Sequence, residues 1–369
     1  MAMLCAGIIG MGNIGVSHLD AIRRLGHTVE AVAASSDQRA WAHAERYGIP
    51  RAYGDYRALI RDTRVDVVHN CTPNALHVAI NQACLAAKKP VFSEKPLACT
   101  SQETGALAEL ASRGRTPAAV NFNYRYHAMI QQARAMIGAG ALGDIHTVWG
   151  TYLQDWLLLP SDYNWRLDPE VAGPSRAIGD IGSHWIDLAE YVTGLRIERV
   201  LGMRSTVLPK RVHGNQEIIV TTEDTAQTLL QFSGGARGGV FLSQVSAGHK
   251  SHLTLEVAGT KRSVAWDLER PEMLWIGERG AANQTLRKHP TLLMESAKPY
   301  ASYPGVHWES TTDGIRNVID NFYRQIAEDP DARDVPTFAD GHRVATVVES
   351  ILRSDAKERW ISVAAFSLQ

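Results

Sequence analysis

Met3-Leu4-Cys5-Ala6-Gly7-Ile8-Ile9-Gly10-Met11-Gly12-Asn13-Ile14-Gly15 runs from an apolar strand candidate into a glycine turn, and residues 17–25 then carry the spacing of an amphipathic helix. The order has a physical meaning. A first glycine permits a tight turn, a second lets backbone approach a pyrophosphate, and a third lets helix and strand pack closely. The helix N-terminus then turns its N–H groups toward the phosphates. Taken alone, Gly-x-Gly-x-x-Gly is equally a plain strand-to-helix turn, so the surrounding pattern decides. Outward from the turn, apolar or β-branched runs at 3–9, 27–33, 65–70, 90–93 and 117–121 predict strands. Helical spacing fills the gaps at 38–47, 56–61, 74–87 and 100–113, several times after a Ser, Thr, Asn or Asp cap. Such alternation is the rhythm of a parallel sheet with crossover helices, so residues 1–124 are expected to form a dinucleotide-binding Rossmann domain within an α/β protein.

From about Tyr124 the pattern changes. A helix is expected at 127–138 and a strand at 144–154, followed by alternating segments at 200–207, 225–232, 239–245, 253–257 and 263–266. Glycine turns such as Gly234-Gly235 separate several of them, which predicts an antiparallel meander forming a large open sheet. Helices at 312–328 and 339–354 close a second α/β domain, residues 125–369, expected to bind substrate and to oligomerise.

The composition of the 369 residues, 45% hydrophobic and 21% charged, is that of a globular protein larger than one core usually organises. A net charge of -1 provides no broad field for nucleic acid or an anionic membrane, which points to a small-molecule partner. The opening apolar run lacks a cationic flank and is broken by glycine, against a signal peptide or a membrane helix. Cys5, Cys71, Cys84 and Cys99 form no Cys-x-x-Cys pair, which fits reduced thiols in a cytoplasmic protein.

After the second strand an NAD site usually places an acid against the ribose 2′-hydroxyl, but here the chain reads Ala33-Ala34-Ser35-Ser36-Asp37. Ser35, Ser36 and Arg39 can receive the 2′-phosphate of NADP; equally, Arg39 can be a solvated helix residue and Asp37 that helix's N-cap. NAD and NADP both remain open.

Cys71-Thr72-Pro73-Asn74 with His77, then Ser93-Glu94-Lys95-Pro96, closely resembles the glucose-fructose oxidoreductase, inositol dehydrogenase and rhizopine catabolism family, in order as well as residue type. The resemblance covers essentially the whole chain, since the family continues with an α/β domain whose open sheet packs against another subunit, implying a homodimer or homotetramer. It implies that Gly10, Met11, Gly12, Asn13, Ile14, Thr72, Pro73, Asn74, His77, Glu94 and Asn123 surround the cofactor, and that Lys95 stands beside the nicotinamide and the reacting carbinol. A partly desolvated lysine near a cationic ring can take or relay the hydroxyl proton; the competing reading is a surface lysine paired with Glu94. Asp180-Ile181-Gly182-Ser183-His184 looks like the family's helix bearing an Asp and a His on one face. His184 is then an acid or base, and Asp180 its orienting partner or a hydroxyl ligand. The alternative is that Asp180 caps the helix and His184 is internal. No third ligand at a recognisable spacing turns this pair into a metal site.

Tyr124 and Arg125 lie where the family's chain leaves its nucleotide domain, but His127-Ala128-Met129 follows where a proline is frequent. Arg125 is therefore either a substrate contact or an interdomain ion pair. Trp156, Trp165, Arg166 and Asp168 concentrate aromatic faces and hydroxyl-binding groups, a composition suited to a polyol, with a packed loop as the alternative. The resemblance implies hydride transfer between a nicotinamide and a ring secondary alcohol of a sugar, glycoside or cyclitol, most narrowly oxidation at sugar C3. A redox-neutral enzyme that recycles a tightly held cofactor, for epimerisation, elimination or glycoside cleavage, and a non-catalytic dinucleotide sensor are the other two readings.

Overall fold

The computed structural model describes residues 3–364 and divides them into two compact units. In the first, strands β1 (Cys5–Ile9), β2 (Thr28–Ala33), β3 (Arg51–Tyr53), β4 (Val67–Asn70), β5 (Val91–Ser93) and β6 (Ala118–Val120) form a parallel sheet in the order β3-β2-β1-β4-β5-β6. Crossovers are made by α1 (Asn13–Arg24), α2 (Asp37–Tyr47), α3 (Tyr56–Arg61), α4 (His77–Ala86) and α5 (Ser101–Arg113). The Rossmann expectation holds. Ile8, Val32, Val67, Val68, Val91 and Phe92 are fully buried, as strands covered on both faces require, each contributing roughly 1.5–3 kcal/mol. β3 was not expected: Arg51-Ala52-Tyr53 is a half-buried edge strand without an apolar run. Ser36 caps α2, and Thr100 with Glu103 forms a reciprocal capping box on α5. Strand order reverses between β1 and β4, so the segments after Ile9 and Asn70 leave the sheet at its switch point.

The second unit contains α6 (Ala128–Gly138), β7 (Ile145–Leu153), a short helix α7 (Pro169–Ala172) and α8 (Ser183–Thr193). Next come β8 (Ile197–Ser205), a hairpin of β9 (Lys210–His213) and β10 (Gln216–Ile219), β11 (Thr225–Phe232), β12 (Arg237–Ser243), β13 (His252–Gly259), β14 (Arg262–Asp267), β15 (Met273–Glu278) and β16 (Gln284–Arg287). With β17 (Ile361–Ser362) the large sheet runs β16-β15-β14-β13-β7-β12-β11-β8-β17. It is mostly antiparallel, as expected, but it is not a simple meander. β7 inserts between β12 and β13 and pairs with β12 in parallel, a long-range pairing that strand periodicity does not report.

One face of this sheet carries α8. The Trp185 indole donates to the Thr254 carbonyl at 2.9 Å, over Gly150, where a Cβ would stand 2.6 Å from the indole nitrogen. The other face exposes Trp149, Met203, Leu229 and Phe241, which the register makes neighbours.

Two late helices follow, α9 (Thr311–Ile326) and α10 (Phe338–Lys357). Here the division expected at 124/125 needs amendment. The first unit takes residues 3–123 together with 312–343, and the second takes 124–311 with 344–364; residues 365–369 of the expected second domain lie outside the described residues. The cause is the buried face of α9. Phe322 packs on Phe92 with ring centroids 5.4 Å apart, and Asp313 pairs with Arg24 at 2.6 Å. Among the described residues no helix is long and apolar enough to cross a membrane.

Candidate active site

The three glycines of the first turn have separable tasks. Gly10 takes φ +91°, where a Cβ would also stand 2.7 Å from the Cys71 carbonyl oxygen, and a Cβ on Gly15 would lie 2.2 Å from the Gly10 oxygen. The fold itself demands those two. A Cβ on Gly12 meets nothing within 4 Å, so the middle glycine faces open space. Gly12 is also the N-cap of α1, without a side-chain cap or an acid in the first turn, which leaves N–H groups and a positive helix end for an anion. This turn fits a dinucleotide pyrophosphate. Next to Gly12, Met11 is buried, Ile14 half-buried and Asn13 exposed.

At the end of β2, Arg39 Nη1 donates to Ser35 Oγ at 3.1 Å, and the Arg39 N–H donates to Ser36 Oγ. Ser36, not Asp37, is therefore the cap. Asp37 instead accepts the Gly54 N–H at 2.7 Å. All three of Ser35, Ser36 and Arg39 are exposed.

The loops after β4 and β5 are locked together. Thr72 Oγ1 donates to Asn70 Oδ1, Asn70 donates to Asn81, and Asn81 donates to Ser93, whose hydroxyl reaches the Glu94 carbonyl. His77 is buried, with its ring nitrogens 2.8 Å from the Thr72 and Pro96 carbonyl oxygens. Expected as a cofactor contact, it instead ties the two motif loops to one another. Asn74 and Asn123 are buried, while Pro73 and Lys95 are half-buried. Burial by itself would raise the Glu94 carboxyl, but hydrogen bonds from His18 and Asn121 and the charge of Lys95 outweigh it and hold it at about 2. Glu94 is an anion.

In the second unit, Asp180 lies in a π-turn, Ile178–Gly182, that opens into α8, a local geometry frequent at functional sites. Its carboxylate takes a hydrogen bond from Gln244 Nε2 at 3.0 Å and pairs with Arg166 Nε at 3.3 Å. His184, one turn on and buried, has its ring 4.4 Å from that of Tyr124. The Tyr124 and Tyr152 hydroxyls are 2.8 Å apart, and Tyr152 also lies 3.2 Å from Ser251 Oγ. Burial pushes the Tyr152 phenol well above its ordinary value, so it remains a donor. Imidazole, phenol and carboxylate together can orient hydroxyls and move a proton.

Several expected substrate contacts have other partners. Arg125 forms a two-pronged ion pair with Asp187 inside the second unit, with Nε to Oδ2 at 2.8 Å. Asp168 caps α7 through the Glu170 N–H at 2.9 Å. Arg166 stacks on Trp165 at 4.4 Å, which turns its Nε toward Asp180; Trp156 is exposed and donates to Gln154. Tyr152, Gln244 and Ser251 went unnoticed in the sequence. They sit on or just beyond β7 and β12 and before β13, positions that only the long-range pairing joins. Asp187 was legible, lying one turn beyond His184 on the same helix. Elsewhere, His249, His252 and Glu269 bring one ligand atom each within 4.8 Å, but Glu269 there accepts the Lys250 and Ser251 N–H groups and His252 faces Asp267.

Comparison with known proteins supplies the family and the fold. Residues 4–122 match the model of an oxidoreductase family with an NAD-binding Rossmann fold, and residues 130–265 match the GFO/IDH/MocA C-terminal domain. Levoglucosan dehydrogenase of Pseudarthrobacter phenanthrenivorans is 32% identical over 100% of both chains. Myo-inositol 2-dehydrogenase of Thermotoga maritima is 26% identical over 74% of this chain and 80% of its own. A solved structure of levoglucosan dehydrogenase in complex with NADH and levoglucosan has a TM-score of 0.91 at 30% identity, covering 99% of this chain and 100% of that one.

Proposed function

The chain belongs to the GFO/IDH/MocA oxidoreductase family, and on that premise we propose that it interconverts a ring secondary alcohol of a sugar, glycoside or cyclitol with the ketone, at C3 where the substrate is a hexose. A bound nicotinamide supplies the hydride acceptor or donor. Lys95 takes or relays the proton of the reacting hydroxyl. His184 shares that task, and Asp180, aimed by Gln244 and Arg166, binds the reacting or a neighbouring hydroxyl. Tyr124 and the Trp165–Arg166 stack offer the aromatic face and donors that a polyol ring needs.

The observation that carries this reading is the gathering of Tyr124, Tyr152 and His184 in the unit that also holds the hydrogen-bonded Asp180. Full-length similarity to a sugar dehydrogenase supports it. Self-association through the exposed Trp149, Met203, Leu229 and Phe241 face, and a cytoplasmic setting in which Cys5, Cys71, Cys84 and Cys99 stay free, belong to the same proposal. The test is growth of the reduced-nicotinamide absorbance when purified protein meets a panel of polyols and glycosides with NAD and with NADP, followed by identification of the oxidised carbon. Tightly held cofactor with no net signal would favour the redox-neutral alternative.

A further inference from the structure

Beneath the glycine turn lies a string of buried polar side chains that the proposed chemistry does not use. Glu94 Oε1 is 2.9 Å from His18 Nε2, His18 Nδ1 is 2.9 Å from His69 Nδ1, and His69 Nε2 is 2.8 Å from the Tyr323 hydroxyl. His18, His69 and Tyr323 have no solvent exposure, so their hydrogen bonds are made with one another rather than with water. They come from α1, β4 and α9, three elements with no reason of packing alone to present polar atoms to a shared core.

Chemistry gives the string a direction. The Glu94 carboxylate is acceptor-only, so His18 Nε2 carries the proton that it receives. At its other nitrogen His18 faces Cys71 Sγ at 3.3 Å, and burial keeps that thiol protonated, so its S–H is available to donate. In the neutral imidazole with its proton on Nε2, Nδ1 of His18 is the accepting nitrogen, and His69 Nδ1–H donates to it. Burial, with the nearby His18, holds His69 neutral, so its Nε2 is bare and accepts the Tyr323 O–H, which burial likewise keeps protonated. Every polar hydrogen points toward Glu94. Asn121 Nδ2 adds a second donor to Oε1 at 2.5 Å, and Glu94 Oε2 accepts the Lys95 backbone N–H at 3.2 Å. The other titratable groups near the string are His77 and Lys95 beside Glu94, and Asp66, Cys5, Cys71 and His27 around Tyr323.

We propose that Tyr323, His69 and His18 are positioning residues for Lys95: a hydrogen-bond string polarised toward Glu94 fixes its carboxylate in the orientation that holds the Lys95 main chain. This rests on the reading of Lys95 as the proton-handling group. It also gives α9, some two hundred residues beyond Lys95 in the chain, a functional reason to return to the first unit.

Two measurements test it. In protein labelled with 15N-histidine, the ring nitrogens of His69 are expected to show the Nδ1–H tautomer, which is the less favoured form of free neutral imidazole, and those of His18 the Nε2–H tautomer. His69 protonated on Nε2 instead would overturn the polarity. Tyr323→Phe, which removes one oxygen and keeps the ring, is expected to shift a limb of the kcat/KM pH profile by about half a unit and to lower kcat about threefold to tenfold, with dinucleotide affinity kept. A profile that superimposes on the wild type would contradict the positioning role, and a lowered melting temperature alone would not rescue it. Full activity in Lys95→Ala, with the tautomers as expected, would sink the underlying assignment of Lys95 and so separates the two failures.

Discussion

The Asp180 carboxylate accepts a hydrogen bond from the Gln244 side-chain amide at 3.0 Å, across 64 positions of sequence. Arg166 holds its other oxygen at 3.3 Å, so the carboxylate is aimed from two directions. Gln244→Leu keeps the volume and removes the donor. It is expected to lower kcat/KM about tenfold, the equivalent of one net hydrogen bond of ~1 kcal/mol or slightly more, with cofactor affinity unchanged. Steady-state kinetics beside a dinucleotide titration decide this, and an unaltered kcat/KM would leave the contact without a role in turnover.

Two single-atom additions in the first turn separate fold from function. Gly15→Ala drives a Cβ to 2.2 Å from the Gly10 oxygen, a backbone atom that cannot step aside, and should destabilise the protein by about 2 kcal/mol or more. Gly12→Ala meets nothing within 4 Å and should change stability by less than about 1 kcal/mol, yet weaken dinucleotide binding about tenfold or more, because its methyl enters the ligand's space. Thermal melts with and without NAD resolve both. Equal losses of stability in the two variants would contradict the division.

The Glu94 carboxyl, held at about 2 against an ordinary 4.5, makes a pH prediction whose sign is fixed. A folded value below the unfolded one contributes stability that is present above about 4.5 and is lost as pH falls toward 2, here on the order of 3 kcal/mol. The difference in unfolding free energy between wild type and Glu94→Gln should therefore be largest near neutrality and shrink below pH 4.5. Denaturant unfolding at a series of pH values measures it, and a difference independent of pH would exclude an ionised, hydrogen-bonded Glu94.

What was legible in the sequence follows from how local each signal is. Gly10, Gly12 and Gly15 act within one turn, so the run that contains them announced both strand and helix. The apolar runs of β1, β2, β4 and β5 did the same. β3, with Arg51-Ala52-Tyr53, buries too little to leave a pattern. The insertion of β7 between β12 and β13, and the return of α9 to the first unit, are pairings across about ninety residues or more for which periodicity carries no signal. For the same reason Lys95, Asp180 and His184 are proposed from their motifs, whereas Gln244, Tyr152 and Ser251 had to await the sheet. Arg125 and Asp168 were chemically suited to a sugar, but nearer partners, Asp187 and the Glu170 N–H, engage them.

The exposed face of the large sheet carries a prediction of its own. Met203 and Leu229 flank the β8–β11 pairing with their side chains in solvent, an apolar exposure that the proposed self-association would cover. The wild type is expected to sediment as a homodimer or homotetramer, and Met203→Glu with Leu229→Glu to sediment as a monomer with its circular dichroism unchanged. A monomeric wild type would contradict the assignment of this face.

Hydride exchange at a ring alcohol with Lys95 handling the proton is decided by a single pair of proteins. Purified wild type and Lys95→Ala are each mixed with NAD or NADP and a panel of sugars, glycosides and cyclitols, and reduced nicotinamide is followed by its absorbance. The wild type is expected to reduce the cofactor with at least one member of the panel, and Lys95→Ala, which still binds the dinucleotide, to do so about a thousandfold more slowly. Equal rates in the two proteins would contradict it.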